Sequence, residues 1–423
     1  MVQPSPIRVG VVGLGRGQTF IQQTTPVVGM ELVALCDTWE ERLVEFGAKH
    51  QVATYTDFDE FLTHDMDAVV LANYFHEHSD FAIKALRAGK HVMSETAASF
   101  TPAQGAELVA AVEESGLIYM FADNYPFMAY NQEMRRLYAE GAVGDFRYGE
   151  GEYVHPISAH LFNSIAMGPD HWRNWLPVTY YCSHSLAPVM YITDTVPVKV
   201  SGFVIPHDPD DANKALTVRR CDTASMIVLQ MDNGALVKLL QYDLRGHGNY
   251  VRIVGNRGLM ENGRGPLEEH LRVRREPFEK PAGVPTELSY EPEFQAFGAE
   301  ARATGHGGGD FFMNYEFAQA IRTGRQPYFD VYKGVQMALV GALAYRSALE
   351  GSGAITLPDL HDKAALAELA KDHFSPDPTT RTGTDPWPSV LGDVRPTQAG
   401  TDYAQQVWGR TDELLFGGGL WDR

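Results

Sequence analysis

One pattern limits this chain more than any other. Through its N-terminal third, short continuous apolar runs alternate with helical periodicity. Ile7–Val12 is such a run and stops at Gly13; Leu32–Cys36, Ala68–Ala72, His91–Ser94 and Ile118–Phe121 repeat the type. Helices are expected to begin within Thr19–Gln23 and to cover Glu40–His50, His78–Ala88 and Pro102–Ser115. Thr101 can cap the last of these, and Pro102 suits its first turn. Runs that are apolar throughout suit strands buried on both faces. Their alternation with helices predicts a parallel, doubly wound α/β sheet.

From about Asn131 the pattern changes. One helix, Asn131–Glu140, ends at Gly141, and strands are expected at Phe146–Val154, Val198–Val204, Ala224–Met231, Leu236–Tyr242 and Tyr250–Gly255. Asn233-Gly234 predicts a type I′ hairpin turn, and Glu279–Gln295 reads as loop. Two helices, Phe311–Arg322 and Tyr332–Glu350, follow. The tail shows one helix near Lys363–Lys371 and is otherwise rich in Pro, Gly and Thr. The expected organisation is an α/β domain over 1–125 and an α+β domain over 126–360 with a large, mostly antiparallel sheet. Residues 361–423 form an extension packing on the body.

Composition narrows the partners. A net charge of −19 argues against nucleic acid and anionic membranes. No apolar run is long enough to span a bilayer, and "MVQPSPIRVG" lacks the signal-peptide pattern. Three cysteines without pairing or metal spacing suit a reducing, cytoplasmic setting. His76 and His78 have no third ligand near them in sequence, so no metal is expected.

The chemistry begins at "GVVGLGRGQTF". Gly13 and Gly15 end a strand and open a helix, where backbone can approach a pyrophosphate. The third glycine of G-x-G-x-x-G should fall at Gln18; instead Gly17 sits one position early, after Arg16. Asp37 ends the second strand, where a carboxylate takes ribose hydroxyls and repels a 2′-phosphate; Thr38 follows it. NAD is therefore expected, in preference to NADP. The alternative for the glycines alone is an ordinary tight turn.

Farther on, Asn73, Tyr74, His76 and His78 precede Ala88-Gly89-Lys90-His91-Val92 and then Glu95-Thr96-Ala97. This frame resembles the glucose–fructose oxidoreductase/inositol dehydrogenase/rhizopine-catabolism (Gfo/Idh/MocA) family, which has Thr-Pro-x-x-x-His, Ala-Gly-Lys-His-Val and Glu-Lys-Pro there. Asn73-Tyr74 replaces Thr-Pro. Thr96-Ala97 replaces Lys-Pro, so the lysine that helps move the substrate's hydroxyl proton is absent. Tyr153-x-His155, Trp172-Arg173, Tyr181-x-x-His184 and "GHGGGDF" at Gly305–Phe311 are similar to one branch of that family. It contains the NAD-dependent glycosidases typified by bacterial α-N-acetylgalactosaminidases.

The resemblance implies a Rossmann domain with tightly bound NAD, regenerated each cycle, and a sugar glycoside as substrate. It implies transient oxidation at C3, removal of the C2 proton, elimination of the aglycone, hydration and re-reduction. Tyr153 is the implied C2 base with His155 beside it, and Tyr181 and His184 handle the C3 hydroxyl. The cofactor set is then Gly13, Gly15, Arg16, Gly17, Gln18, Asp37, Thr38, Asn73, Tyr74, His76, His78, Glu95, Thr96, Asn124, Trp172 and Arg173. Asp123 and His306 are substrate contacts, with His306 presented to the cleft by a flexible glycine loop. The sugar is an N-acetylhexosaminide, a hexoside or an acidic sugar such as a sulfoquinovoside. A sugar or polyol dehydrogenase is the alternative activity, and a homodimer or homotetramer the expected assembly. Each residue also has a plainer reading: Tyr153 and His155 as a buried bonded pair, His184 as a helix-start residue, Trp172-Arg173 as packing, and Gly305–Asp310 as linker.

Overall fold

A computed structural model of the chain describes residues 5–246 and 248–409. It divides into two compact units. The first runs to Glu133 and takes back Glu293–Leu339 and Pro358–His373; the second holds Met134–Pro292, Val340–Leu357 and the chain from Phe374.

The first unit contains β1 (Ile7–Val12), β2 (Met30–Cys36), β3 (Ala53–Tyr55), β4 (Ala68–Leu71), β5 (His91–Glu95) and β6 (Tyr119–Ala122). They form one parallel sheet in the order β3-β2-β1-β4-β5-β6. This is the doubly wound arrangement that the alternation predicts, and β4 and β6 are buried at every position. The helix Pro102–Ser115 starts as expected, with Thr101 and Gln104 closing a reciprocal capping box. β3 and the short helix Phe58–Leu62 were not expected, because three and five residues are too few to show a period.

The returning segments show why the units are not the linear stretches that sequence suggests. In the helix Gly309–Thr323, Asn314 Nδ2 donates to the Phe20 carbonyl, and Arg322 donates to the carbonyls of Val28 and Gly29. The Phe121 N–H donates to the Phe329 carbonyl at 2.9 Å. Residues distant in sequence thus satisfy backbone groups of the Rossmann unit.

The second unit is built on β7 (Phe146–Val154), β8 (Pro197–Ile205), β9 (Ala224–Met231), β10 (Leu236–Tyr242), β11 (Gly248–Gly255), β12 (Gly258–Asn262), β13 (Leu271–Arg275), β14 (Glu287–Tyr290) and β15 (Ile355–Thr356). Their order is β14-β13-β12-β11-β7-β10-β9-β8-β15, antiparallel among the described strands except for β7 beside β10. The helix Ser183–Thr193 lies on one face. A Cβ at Gly151 would fall 1.9 Å from the Ser185 carbonyl oxygen, so this close approach requires glycine.

Three local expectations change. The β9–β10 connection is not type I′: Asn233 does not take positive φ, and Gly234 alone does, at +85°. Gly234 N–H donates to the Met231 carbonyl and Met231 N–H to that of Ala235, a type I turn closed by a glycine bulge. Glu279–Gln295 is not all loop, because β14 pairs with β13 there. The tail holds a second helix, Gln398–Trp408, whose Trp408 Nε1–H donates to the Asn163 carbonyl.

Candidate active site

At the C-terminal ends of the first unit's strands, Gly13 has φ +87°, and a Cβ there would meet the Ala72 carbonyl oxygen at 2.4 Å. Gly15 is exposed, and a Cβ there would meet nothing within 4 Å. Gly17 is buried and starts the helix Gly17–Gln22, close against Val11, while Gln18 folds back to the Gly15 carbonyl. Asp37 Oδ2 accepts from Leu14 N–H at 2.6 Å and Oδ1 from Trp39 N–H at 2.9 Å, with Thr38 exposed beside it. The carboxylate ties the glycine turn to the end of β2, and each oxygen retains a lone pair for a ribose hydroxyl. Asn73 donates to Glu77, and its Oδ1 is buried with no protein partner. Asn124 Oδ1 is in the same condition. An open glycine backbone, an available carboxylate and two orphaned amide oxygens fit NAD, whose hydroxyls and amide supply donors.

Tyr74 is half-exposed, and its phenol is held above the ordinary range by burial and by Glu77 and Asp37. His76 lies between the Tyr74 and Phe100 rings, at 6.1 and 6.3 Å. His78 is buried, with Nδ1 3.1 Å from the Ala97 carbonyl and Nε2 3.3 Å from that of Asn73. Both of its nitrogens face protein backbone carbonyls, so His78 ties the Asn73 and Ala97 loops together.

Arg16 is held by several protein groups. Its Nε donates to Glu95 Oε1 at 2.7 Å, Nη1 to Thr19 at 2.9 Å and Nη2 to Asp310 Oδ1 at 3.0 Å. The guanidinium thus bridges three protein groups. Glu95 Oε2 accepts from the N–H of buried Thr96. Asp310 also accepts from Asn124 Nδ2 and pairs with His306 Nδ1, both at 2.8 Å. Burial alone would raise its carboxyl pKa, but Arg16 and His306 hold it well below the usual range. The segment before it is no loose loop. It makes a short turn, His306–Gly308, that runs directly into the helix from Gly309. Asp123 is fully buried, and its Oδ1 accepts from Tyr125 N–H.

The second unit gathers the remaining candidates. Tyr153 and His155 come from β7 and its exit, Trp172 and Arg173 from a short turn, and Tyr181 and His184 from the approach to the helix Ser183–Thr193. Tyr153 lies 4.9 Å from His184, 5.8 Å from Tyr181 and 5.7 Å from His155, between ring centroids, and Tyr181 lies 5.1 Å from His184. Tyr153, His155, Tyr181 and Arg173 line one cavity, and the Arg173 guanidinium stacks 4.3 Å over Trp172. That cavity also holds Tyr242, Arg219 and Asp243, which sequence reasoning missed. No local motif marks them. Tyr242, at the end of β10, takes φ +81°, a strained conformation of the kind that collects at functional sites. Its phenol is pushed up by burial despite the nearby Arg219.

An oxidoreductase family model with an NAD-binding Rossmann fold, Gfo/Idh/MocA, matches residues 7–122. A model for the C-terminal domain of glycosyl hydrolase 109 matches residues 202–365. A glycosyl hydrolase family 109 protein of Solibacter usitatus (strain Ellin6076) is 25% identical over 390 residues, 84% of this chain and 88% of that protein. One from Saccharopolyspora erythraea is 26% identical over 387 residues, covering 84% and 83%. Levoglucosan dehydrogenase in complex with NADH matches with a TM-score of 0.72 at 19% identity, over 84% of this chain and 100% of that one. At that identity the likeness concerns the fold.

Proposed function

The chain joins an NAD-binding domain of the Gfo/Idh/MocA family to a C-terminal domain of glycosyl hydrolase family 109, and on that premise we propose an NAD-dependent glycoside hydrolase. The observation that carries the reading is the Tyr153, Tyr181 and His184 cluster. Direct displacement of an aglycone canonically uses two carboxyl groups. Among the described residues lining this cavity the single acid is Asp243, and Arg219 holds it at 2.5 Å. Phenols and imidazoles instead suit proton transfers at carbon and hydroxyl.

Bound NAD supplies a hydride acceptor and donor for C3 of the sugar. Tyr153 takes the C2 proton, made acidic while C3 is a ketone, and His155 stands beside it. Tyr181 and His184 bind the C3 hydroxyl and move its proton, the task of the lysine missing after Glu95. Asp37, Asn73, Asn124 and the open backbone at Gly15 hold the dinucleotide. All three cysteines are buried, and Cys36 and Cys221 are free thiols, which supports a reducing, cytoplasmic setting. No helix among the described residues is long and apolar enough to cross a membrane. The assembly is a homodimer or homotetramer through the uncovered face of the second unit's sheet.

The test is cleavage of aryl α- and β-glycosides in deuterated water. The released sugar should carry deuterium at C2; cleavage without it excludes this route. Net NADH formation from free sugars, with no aglycone released from any glycoside, would make the chain a sugar dehydrogenase instead.

A further inference from the structure

Arg219 is 4% exposed, sandwiched with its Cζ 4.4 Å from the Phe162 ring centroid and 4.9 Å from that of Tyr242. Its Nη1 donates to Asp243 Oδ2 at 2.5 Å. Nε and Nη2 are buried and make no hydrogen bond to a protein oxygen or nitrogen; the neighbouring Cys221 thiol, a weak acceptor, does not replace one. These two donors lie on the same edge of the guanidinium and form the fork that matches two oxygens of one oxyanion. Leaving such donors buried and unmet is costly, so a fork held open beside a cavity calls for an acceptor.

The surrounding charge has the same sense. Arg245 donates to Asp211 at 2.8 Å and lies 3.7 Å from Asp243 Oδ1, and the buried Lys214 ammonium is 3.8 Å from Asp211. Among the described residues Arg219, Arg245 and Lys214 form ion pairs with Asp211 and Asp243, a net charge of +1 for the five groups, with the buried Cys221 thiol also beside Arg219, and Arg173 adds another cation to the Tyr153 cavity. The Tyr242 ring lies 6.2 Å from Tyr181 on one side and 4.9 Å from Arg219 on the other. A sugar whose C2 and C3 meet Tyr153, Tyr181 and His184 would direct its opposite end, C5 and C6, toward Arg219.

We propose that the side-on fork of Arg219, supported by Arg173, binds an oxyanion on C6 of the sugar, so that the substrates are acidic glycosides. The proposal rests on the glycosidase reading and selects within it. A hexuronide carboxylate and a 6-sulfonate share the chemistry, and separate substrates distinguish them.

The probes are 4-nitrophenyl glucuronide, galacturonide and 6-deoxy-6-sulfoglucoside, in both anomers, each beside the neutral glucoside or galactoside. An acidic member should exceed its neutral match in kcat/KM by about tenfold or more, as charge-assisted bonds allow. Arg219→Lys keeps the charge but removes the fork, and should lower that ratio by about tenfold. Arg219→Gln is the second variant, with circular dichroism melts to establish that each folds. A neutral preference in the parent protein, or a ratio unchanged in folded Arg219→Lys, overturns the proposal. If no glycoside of either kind is cleaved, the glycosidase reading fails on its own. Arg219 is then judged by equilibrium binding of glucuronate, galacturonate and 6-deoxy-6-sulfoglucose against glucose to the NAD-loaded protein. Tighter binding of an acid, lost in Arg219→Lys, sustains the site; binding no tighter than glucose overturns it.

Discussion

At the scale of single residues, the proposed mechanism turns on the Tyr153 hydroxyl. Its ring is fixed among His155, Tyr181 and His184, so Tyr153→Phe keeps the packing and removes only the proton acceptor. Aglycone release should fall on the order of a hundredfold or more, the size of a general-base contribution. Rapid mixing with substrate should still show reduced-cofactor absorbance, because the loss falls after C3 oxidation. Full-speed release would move the base elsewhere, with His155 next in line. Asp37 carries a second prediction. Its two oxygens accept from Leu14 and Trp39, which points the carboxylate into the glycine turn. NAD should bind well ahead of NADP, and Asp37→Ala should bring the two Kd values within about tenfold by removing the repulsion of a 2′-phosphate. Equal affinities in the parent protein would withdraw the ribose role. Asp37 was legible because its spacing from Gly15 is local information. Arg219 and Asp243 were not, because their roles depend on neighbours contributed by separate strands and loops.

Among elements, the start of the helix Gly309–Thr323 joins sequence to stability most directly. It places Asp310 beside Arg16, Asn124 and His306, in a carboxyl group only 2% exposed. The folded-state pKa lies below the unfolded value of about 3.9. The bridge is therefore fully stabilising above that value, and its contribution is lost as pH falls through the lower folded value. Asp310→Asn should cost about 2 kcal/mol at pH 7, the scale of a charge-assisted bond. Its urea-unfolding stability should then fall less steeply than the parent's below about pH 4, since the amide cannot take up that proton. Parallel acid profiles would show that folding does not lower the Asp310 pKa. The glycine run before this helix looked like a loop because helix propensity counts glycines against it. It ends in a helix because the backbone at Gly309 passes close to Asn124: a Cβ there would fall 2.3 Å from the Asn124 carbonyl oxygen, a tertiary constraint. Long periodic helices such as Glu40–His50 and Pro102–Ser115 were legible to the residue. Strands β12 to β14 were not, since GLMEN, LRVRR and ELSY are only four or five residues long and too short to show a clear period.

For the molecule as a whole, the fold class was legible and the path of the chain was not. Strand–helix alternation identifies a Rossmann unit, but nothing local in Glu293–Leu339 announces that it belongs with residues numbered below 134. The second unit's sheet raises the question of assembly. Helix Ser183–Thr193 covers one face, and Gly202 packs close to Ala344 on the same side. Cross-strand pairing puts Phe203, Met226, Leu240, Glu152 and Tyr250 in one row on the other face. Phe203, Ile205, Met226 and Leu236 are exposed there. Beside them runs a charge ladder, Lys238–Glu150, Arg252–Glu261 and Arg272–Glu261, with contacts of 2.6, 3.3 and 2.7 Å. An apolar strip bordered by ordered charges suits a self-complementary interface between two copies better than open water. Light scattering at micromolar concentration should give a dimer or tetramer. Phe203→Glu with Met226→Lys should shift it toward monomer by burying charge in the strip, with the melting of the isolated chain little changed because both positions are exposed. A parent protein that is a stable monomer at that concentration would leave this face without a partner copy and refute the assembly.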